Sequence, residues 1–304
     1  MNSIKLGTRG SKLALWQAAY VAEAIRKAVP QVTVDIKVIR TTGDRILDRA
    51  LSKIGDKGLF TKELERELVN GGIDIAVHSL KDMPSQLGKG LYIGAVLERE
   101  NPQDALISKY EFSGLPYGAI IGTSSLRRAA QLKAARPDLR IEDIRGNIET
   151  RINKMKQQNL DGIILAYAGI KRLRLDRYIG EILPVDIMLP AAGQGIIAVE
   201  AREADSNIRD ILSLINNQAT FLAAQAERSF LFQLEGGCQV PMACLAELKA
   251  GKLVVSGLVA SLDGKTVFRS ARESAENDAS EAGRRLALDL LNLGAYDILN
   301  QFRK

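Results

Sequence analysis

The sequence predicts an α/β fold in three domains: two of alternating strands and helices, and a C-terminal α+β domain with a small antiparallel sheet. Three observations predict it. Strand-like and helix-like segments alternate from residue 4 to about 97, the alternation restarts near residue 104, and beyond about 217 the order becomes one long helix, three strands and a final helix. Strands that alternate with helices pair mostly in parallel and place ligand sites at their carboxyl ends. At 304 residues and 46% hydrophobic content the chain can bury a large core but is long for one compact unit. The boundaries read as 1–97 with 196–215, then 98–195, then 216–304.

In order, "IKLGTRG" is a short strand ending in a glycine-flanked turn, and the following helix carries Leu13, Trp16 and Tyr20 on one face. "VTVDIKVIR" sets Val32, Val34, Ile36 and Val38 at period two. "LFTKELERELVNGG" reads as a helix with Thr61 as N-cap and Gly71 as its stop. "IDIAVHSL" is a strand running into a loop with Lys81 and Asp82. In the second domain "AIIGTSS" is strand and turn, "LRRAAQLKAA" helix, "LRIEDIRG" strand, "NIETRINKMKQQ" helix and "GIILAYAG" strand and turn. "LPAAGQGIIAVEAR" suits a crossing between domains. In the third, the helix ends at Gly236-Gly237, strands follow at "CLAEL", "LVVSGLVAS" and "KTVFRSARE", and Asp263-Gly264 marks a hairpin before a helix from about 277 to 293.

The first twenty residues lack an apolar run of signal-peptide or membrane-span length, so the chain reads as soluble and cytoplasmic. Two cysteines, Cys238 and Cys244, make no disulfide framework, and with a single histidine and no Cys-x-x-Cys spacing no metal site is expected. The net charge of +6 favours an acidic partner. Aromatics at 5% and the lack of a binding motif count against nucleic acid.

"GTSSLRRAAQ" brings Thr123, Ser124, Ser125, Arg127 and Arg128 to a strand end and helix start, an anion-binding arrangement whose plainer reading is a capped helix with two solvated arginines. Arg145 follows another strand, Arg151 lies on the next helix, Arg9 and Ser11 occupy the first strand-to-helix turn, and Lys171-Arg172 follow "AYAG". Arginine forks suit carboxylates, so dispersed arginines suit a ligand with many of them. Asp82 is either a turn-capping residue or a carboxylate that stabilises a developing cation and moves protons. His78, on an alternating strand, reads as a packed structural residue. Lys53 and Lys57, just before Phe60, belong either to a flap over an anionic ligand or to a solvated loop. Cys238 is either a buried small hydrophobe or, after two glycines, an accessible sulfur.

Together "GTRGSKLALWQ", "KGLFTKELE", "DIAVHSLKDMP", "GTSSLRRAAQL", "IRGNIETR", "LAYAGIKRL", "LPAAGQG" and "LEGGCQVP" resemble, in order along nearly the whole chain, the motifs of the porphobilinogen deaminase (hydroxymethylbilane synthase) family. The resemblance implies a monomeric transferase of haem and tetrapyrrole biosynthesis. It would join four porphobilinogen molecules head to tail, release four ammonia molecules and free 1-hydroxymethylbilane by hydrolysis. It implies two periplasmic-binding-protein-like domains flanking a cleft. A dipyrromethane cofactor would be held by a thioether to Cys238, and neither metal, nucleic acid nor membrane is involved.

By the same resemblance Asp82 matches the essential aspartate, which would face the pyrrole N–H groups as substrate loses ammonia and is attacked by the terminal pyrrole. Ser11, Lys81, Asp82, Thr123, Ser124, Ser125, Arg127, Arg128 and Arg145 match cofactor-binding positions. Arg9, Ser11, Arg145, Arg151 and Gln194 match substrate-binding ones, and Lys53, Lys57 and Phe60 the cleft loop. Lys12 and Tyr167 depart from the usual family residues without touching the mechanism. Two rival readings are a non-catalytic two-lobed anion-binding protein and a nucleic-acid binder; neither needs "GGCQVP".

Overall fold

The structure, a computed structural model, describes residues 3–42, 61–234 and 240–302, so Lys53, Lys57, Phe60 and Cys238 lie outside the described residues. In chain order the described strands are β1 (Ser3–Thr8), β2 (Thr33–Val38), β3 (Ile75–Ser79), β4 (Leu91–Val96), β5 (Asp104–Ser108), β6 (Ile120–Gly122), β7 (Arg140–Glu142), β8 (Gly162–Ala166), β9 (Ile179–Ile182), β10 (Ile197–Arg202), β11 (Met242–Lys249), β12 (Lys252–Ala260) and β13 (Val267–Ala275). The helices are α1 (Lys12–Ala28), α2 (Lys62–Val69), α3 (Leu126–Ala135), α4 (Ile148–Gln157), α5 (Tyr167–Arg172), α6 (Ser206–Ile215), α7 (Gln218–Gln233), α8 (Ala279–Leu290) and α9 (Tyr296–Asn300). The chain divides into two compact units, Met1–Glu100 with Ile196–Phe221, and Asn101–Gly195 with Leu222–Lys304.

The first unit is built on a five-stranded sheet in the order β2-β1-β3-β10-β4. Strands β2, β1 and β3 run parallel, and β10 runs against both β3 and β4. Its core packs Ile4, Leu6, Ile75 and Val77 of the sheet against Ala18, Val21, Ala22 and Ile25 of α1. The Leu13–Trp16–Tyr20 spacing marks a helix, but the face it traces is not the one buried. Trp16 and Tyr20 stack outside with ring centroids 5.1 Å apart, because small Ala18 and Ala22 let α1 approach the sheet where aromatic rings would not fit. Of the period-two residues Val32 and Val34 are buried, while Ile36 and Val38 on edge strand β2 are exposed.

Helix α2 stops as its sequence predicts. Gly71 takes φ +70°, and bonds from Gly71 N to Leu68 O (3.1 Å) and Gly72 N to Glu67 O (2.9 Å) close a paired Schellman ending. Its start differs from expectation: Thr61 holds the N-cap position in a helical conformation and its side chain caps nothing.

The second unit holds a five-stranded sheet of the same design, β7-β6-β8-β5-β9, with β7, β6 and β8 parallel and β5 antiparallel to both neighbours. Asn147 caps α4 by accepting from Thr150 N at 2.9 Å. The segment after β8, read as a turn, is instead the short helix α5.

The same unit carries the antiparallel sheet β11-β12-β13, whose first strand is covered on both faces. Met242, Cys244 and Ala246 of β11 join Phe230 and Leu286 in one core, and Ala243 and Leu245 join Ala130, Leu189 and Leu258 in another. This double burial explains why β11 reads as a continuous apolar run. Cys244 is buried. The final helix is longer than predicted, running from α8 through a wide turn at Leu291–Ala295 into α9, with a break where Gly294 takes φ +110°.

The β12–β13 turn rests on α3. Gly264 takes φ +72°, and a Cβ there would lie 2.5 Å from Ala134 N and 2.6 Å from Ala130 O. Neither backbone atom can yield without moving the helix. Among the described residues no helix is long and apolar enough to cross a membrane. Gly264→Ala is expected to lower stability by about 2 kcal/mol from the positive φ alone, read as a reduced urea midpoint.

Candidate functional site

The parallel strands set where the candidate residues emerge. β1 and β3 are neighbours in register, Leu6 opposite Ile75, so the turns after them leave the same edge of the first sheet. The first turn carries Arg9 and Ser11, the second Lys81 and Asp82. Ser11 is the N-cap of α1, its Oγ accepting from Ala14 N at 3.2 Å. After β3 the chain tightens into a single 3₁₀ turn, Leu80–Asp82, with Met83 N bonded to Leu80 O at 3.1 Å. Leu80 N also reaches Ile196 O at 3.0 Å, and Gln17 Nε2 donates to Ser79 Oγ at 2.9 Å. Two neighbouring segments therefore hold the turn that presents Asp82, whose side chain is exposed.

His78 packs below this turn as the sequence predicts. It is buried, with Nε2 2.9 Å from Oε2 of buried Glu200. The other Glu200 oxygen has no hydrogen-bond partner. Half-buried Glu65 of α2 lies close enough to feel this pair: burial, and then the Glu200 charge, push its carboxyl above the ordinary value.

In the second unit the turns after parallel β6, β7 and β8 share one edge. Thr123, Ser124 and Ser125 follow β6, Arg145 follows β7, and Lys171 and Arg172 ride on α5 after β8. Thr123 Oγ1 accepts from Ser125 N at 3.2 Å, and Ser124 Oγ donates to Ile144 O at 2.5 Å. Ser125 holds the N-cap position of α3 without a side-chain cap bond. Arg145 Nε donates to Asp143 at 3.0 Å and Arg151 Nε to Gly146 O at 2.7 Å. Buried Arg172 donates to Gly195 O at 2.7 Å.

Arg127 and Arg128 are not the solvated pair of the plainer reading: each is only 6% exposed. Both are bound to Asp104, the first residue of β5, which is wholly buried. Arg127 Nη1 donates to Asp104 Oδ2 at 2.7 Å and to Leu189 O at 2.8 Å. Arg128 Nε and Nη2 reach Oδ1 at 3.1 and 2.7 Å, and its Nη1 reaches Ile164 O at 3.0 Å. Gln194 Nε2 donates to the same Oδ1 at 2.9 Å and to Pro102 O at 2.7 Å. Burial alone would raise the Asp104 carboxyl; the two guanidiniums overcome it and hold the group well below the usual carboxylate range.

Sequence reading missed Asp104. The signal was present in two consecutive arginines in the first turn of an otherwise small and apolar helix, which cannot both be buried without an internal anion. It also missed Glu227 of α7, buried with its two oxygens accepting from Gly193 N at 2.5 Å and Ala246 N at 2.7 Å. Among the described residues no group of three or more His, Cys, Asp or Glu could hold a metal ion.

Arginines and hydroxyls at strand ends are groups suited to meeting an anionic small molecule. The comparisons are more specific. Residues 4–210 match the family described as porphobilinogen deaminase, dipyromethane cofactor binding domain, and residues 221–292 match its C-terminal domain. A porphobilinogen deaminase of Syntrophomonas wolfei is 59% identical over 306 residues, covering 100% of both chains. Those of Moorella thermoacetica and Carboxydothermus hydrogenoformans are 50% and 51% identical, covering 100% and 98% of this chain and 97% of each relative. The chain belongs to the porphobilinogen deaminase family. It is an enzyme of the transferase class in porphyrin biosynthesis, and its cofactor is a dipyrromethane.

Because the fold disfavours the charged form of Glu65, its effect on stability depends on pH. The penalty is absent below the ordinary glutamate pKa and grows as pH rises through the raised value. Glu65→Gln is therefore expected to raise Tm by about 2 °C at pH 7 and to coincide with wild type at pH 4, checked by calorimetry at both values.

Proposed function

We propose that the chain is a hydroxymethylbilane synthase: it condenses four porphobilinogen molecules head to tail, releases one ammonia for each, and frees 1-hydroxymethylbilane with water. The observation that carries the reading is Asp82, an exposed carboxylate on a turn braced by Ile196 and by the Gln17–Ser79 pair, in a chain otherwise supplied with cationic strand ends. Its carboxylate would face the pyrrole N–H groups, stabilise the positive charge that forms as ammonia departs, and assist the transfer of the proton that leaves the attacking α-carbon once the methylene bridge has formed and that pyrrole ring regains aromaticity. The aspartate serves each of the four condensations.

The donor set fits a dipyrromethane, whose side chains are carboxylates. In the second unit Thr123, Ser125, Arg127, Arg128 and Arg145 supply hydroxyl and guanidinium donors; Ser124, whose hydroxyl donates to Ile144 O at 2.5 Å, is assigned with them by the resemblance. The N-cap side chain of α3 is not spent on capping, and the two buried arginines use only part of their five donors each on Asp104, Gln131-linked Leu189 and Ile164. In the first unit the family resemblance also matches Ser11, Lys81 and Asp82 to cofactor-binding positions. The cofactor supplies a fixed primer with a nucleophilic terminal pyrrole. Cys238 anchors it through sulfur, and Arg9, Ser11, Arg145, Arg151 and Gln194 hold the acetate and propionate groups of incoming substrate.

By the family resemblance Lys53, Lys57 and Phe60, which lie outside the described residues, match the cleft loop. We keep the three-domain division at 97, 195 and 215, with residues 216–304 carrying the anchor, and a monomeric, cytoplasmic protein without nucleic-acid or membrane partner.

The intact protein is expected to carry the mass of one dipyrromethane, absent in Cys238→Ser, and to colour with Ehrlich's reagent; a native-mass protein that neither binds nor consumes porphobilinogen overturns the reading. Asp82→Ala is expected to keep that mass while turnover falls about a hundredfold or more, measured by product formation. Undiminished turnover removes Asp82 from the mechanism.

A further inference from the structure

Asp104 touches three parts of the second unit at once. It begins β5, where it lies opposite Ala166 at the end of β8. Because β5 is antiparallel, its first residue stands at the edge where β6 and β8 end, which is where Arg127 and Arg128 enter α3. Gln194 brings in the segment that precedes β10.

The charges in this cluster do not cancel. Two guanidiniums and one carboxylate are buried together, leaving one positive charge in excess among the described residues that act on Asp104. Burying an ion is costly unless it is paired and hydrogen-bonded, so a lone carboxylate is the smallest anion that can bring both guanidiniums into the interior. It also fixes their planes: Asp104 takes one bond from Arg127 and two from Arg128, and the carbonyls of Leu189 and Ile164 pin the remaining direction of each fork.

We propose that Asp104 is a positioning residue for ligand binding. By orienting Arg127 and Arg128 and cancelling one of their two charges, it presents a preformed cationic pair to a carboxylate of the pyrrole ligand. The inference rests on the reading of these arginines as ligand-binding residues.

The test compares holoproteins of wild type, Asp104→Glu, Asp104→Asn, Arg127→Leu and the Asp104→Glu/Arg127→Leu double variant. Their intact mass, urea unfolding and kinetics with porphobilinogen are measured. Asp104→Glu keeps the charge and displaces it by one methylene, and is expected to raise KM about tenfold with a smaller change in kcat, near-native unfolding and full cofactor mass. Asp104→Asn is expected to raise KM at least as far and to lower cofactor occupancy. In the Arg127→Leu background the KM effect of Asp104→Glu should shrink to a fraction of its size, because the two act as one unit.

Wild-type KM in both Asp104 variants, with kcat falling only in step with the folded fraction, overturns the proposal, as does a full KM effect in the double variant or failure of both single variants to fold. If Arg127→Leu alone leaves KM and cofactor mass at wild-type values, it is the reading of the arginines that fails, and Asp104 is then a structural counter-ion.

Discussion

A single buried carboxylate constrains the second unit. Asp104 cannot sit in the interior without cations, and Arg127 and Arg128 cannot sit there without an anion, so none of the three is stable in place alone. Their mutual requirement fixes the start of β5 against the first turn of α3, and Gln194 adds the segment leading to β10. The peptide oxygens of Leu189 and Ile164 complete the enclosure. Remove Asp104 and two guanidiniums are left buried without their anion, a far larger penalty than the loss of an ordinary surface ion pair.

The topology makes this meeting possible. Each five-stranded sheet places three parallel strands beside one antiparallel strand, β10 in the first unit and β5 in the second. A parallel strand delivers its following turn to the carboxyl edge; an antiparallel neighbour delivers its own first residues to that same edge. Hence Ile196 reaches Leu80 beside Asp82, and Asp104 reaches the arginines of α3. The third sheet then braces α3 from its other side, through Ala130, Leu258 and Ala260 and through the Gly264 turn, whose missing side chain allows backbone to meet backbone.

Much of this was legible in the residues. Alternation gave the two α/β sheets and the hairpin sheet, "LRRAAQLKAA" coincides with α3 from Leu126 to Ala135, and Gly71 stops α2 because only a residue tolerant of positive φ can close that ending. What failed to show depends on contacts between distant segments. The buried side of α1 is chosen by Ala18 and Ala22 against the sheet, so Leu13, Trp16 and Tyr20 mark a helix without marking its core. Asp104 is one acidic residue at the head of an apolar strand, and its meaning exists only once Arg127, Arg128 and Gln194 arrive from 23 to 90 positions away. The motif resemblance located those arginines as anion binders; it did not show that an anion of the chain itself is already there.

That internal anion bears on how a growing polycarboxylate can be held without being trapped. Two bare guanidiniums in a low-dielectric setting would bind a ligand carboxylate strongly, and a chain that must be extended repeatedly gains nothing from a contact it cannot leave. With Asp104 satisfying part of each fork, the pair offers orientation and a single excess charge, and its geometry is paid for within the fold. The exposed Asp82 is the complementary arrangement: its turn is braced by backbone and amide contacts, and in the proposed function its carboxylate stays open to each successive pyrrole. On the proposed reading the enzyme separates holding from reacting. The buried arginine pair, one of whose two charges is balanced by Asp104, does the first, and one exposed group on a braced turn does the second.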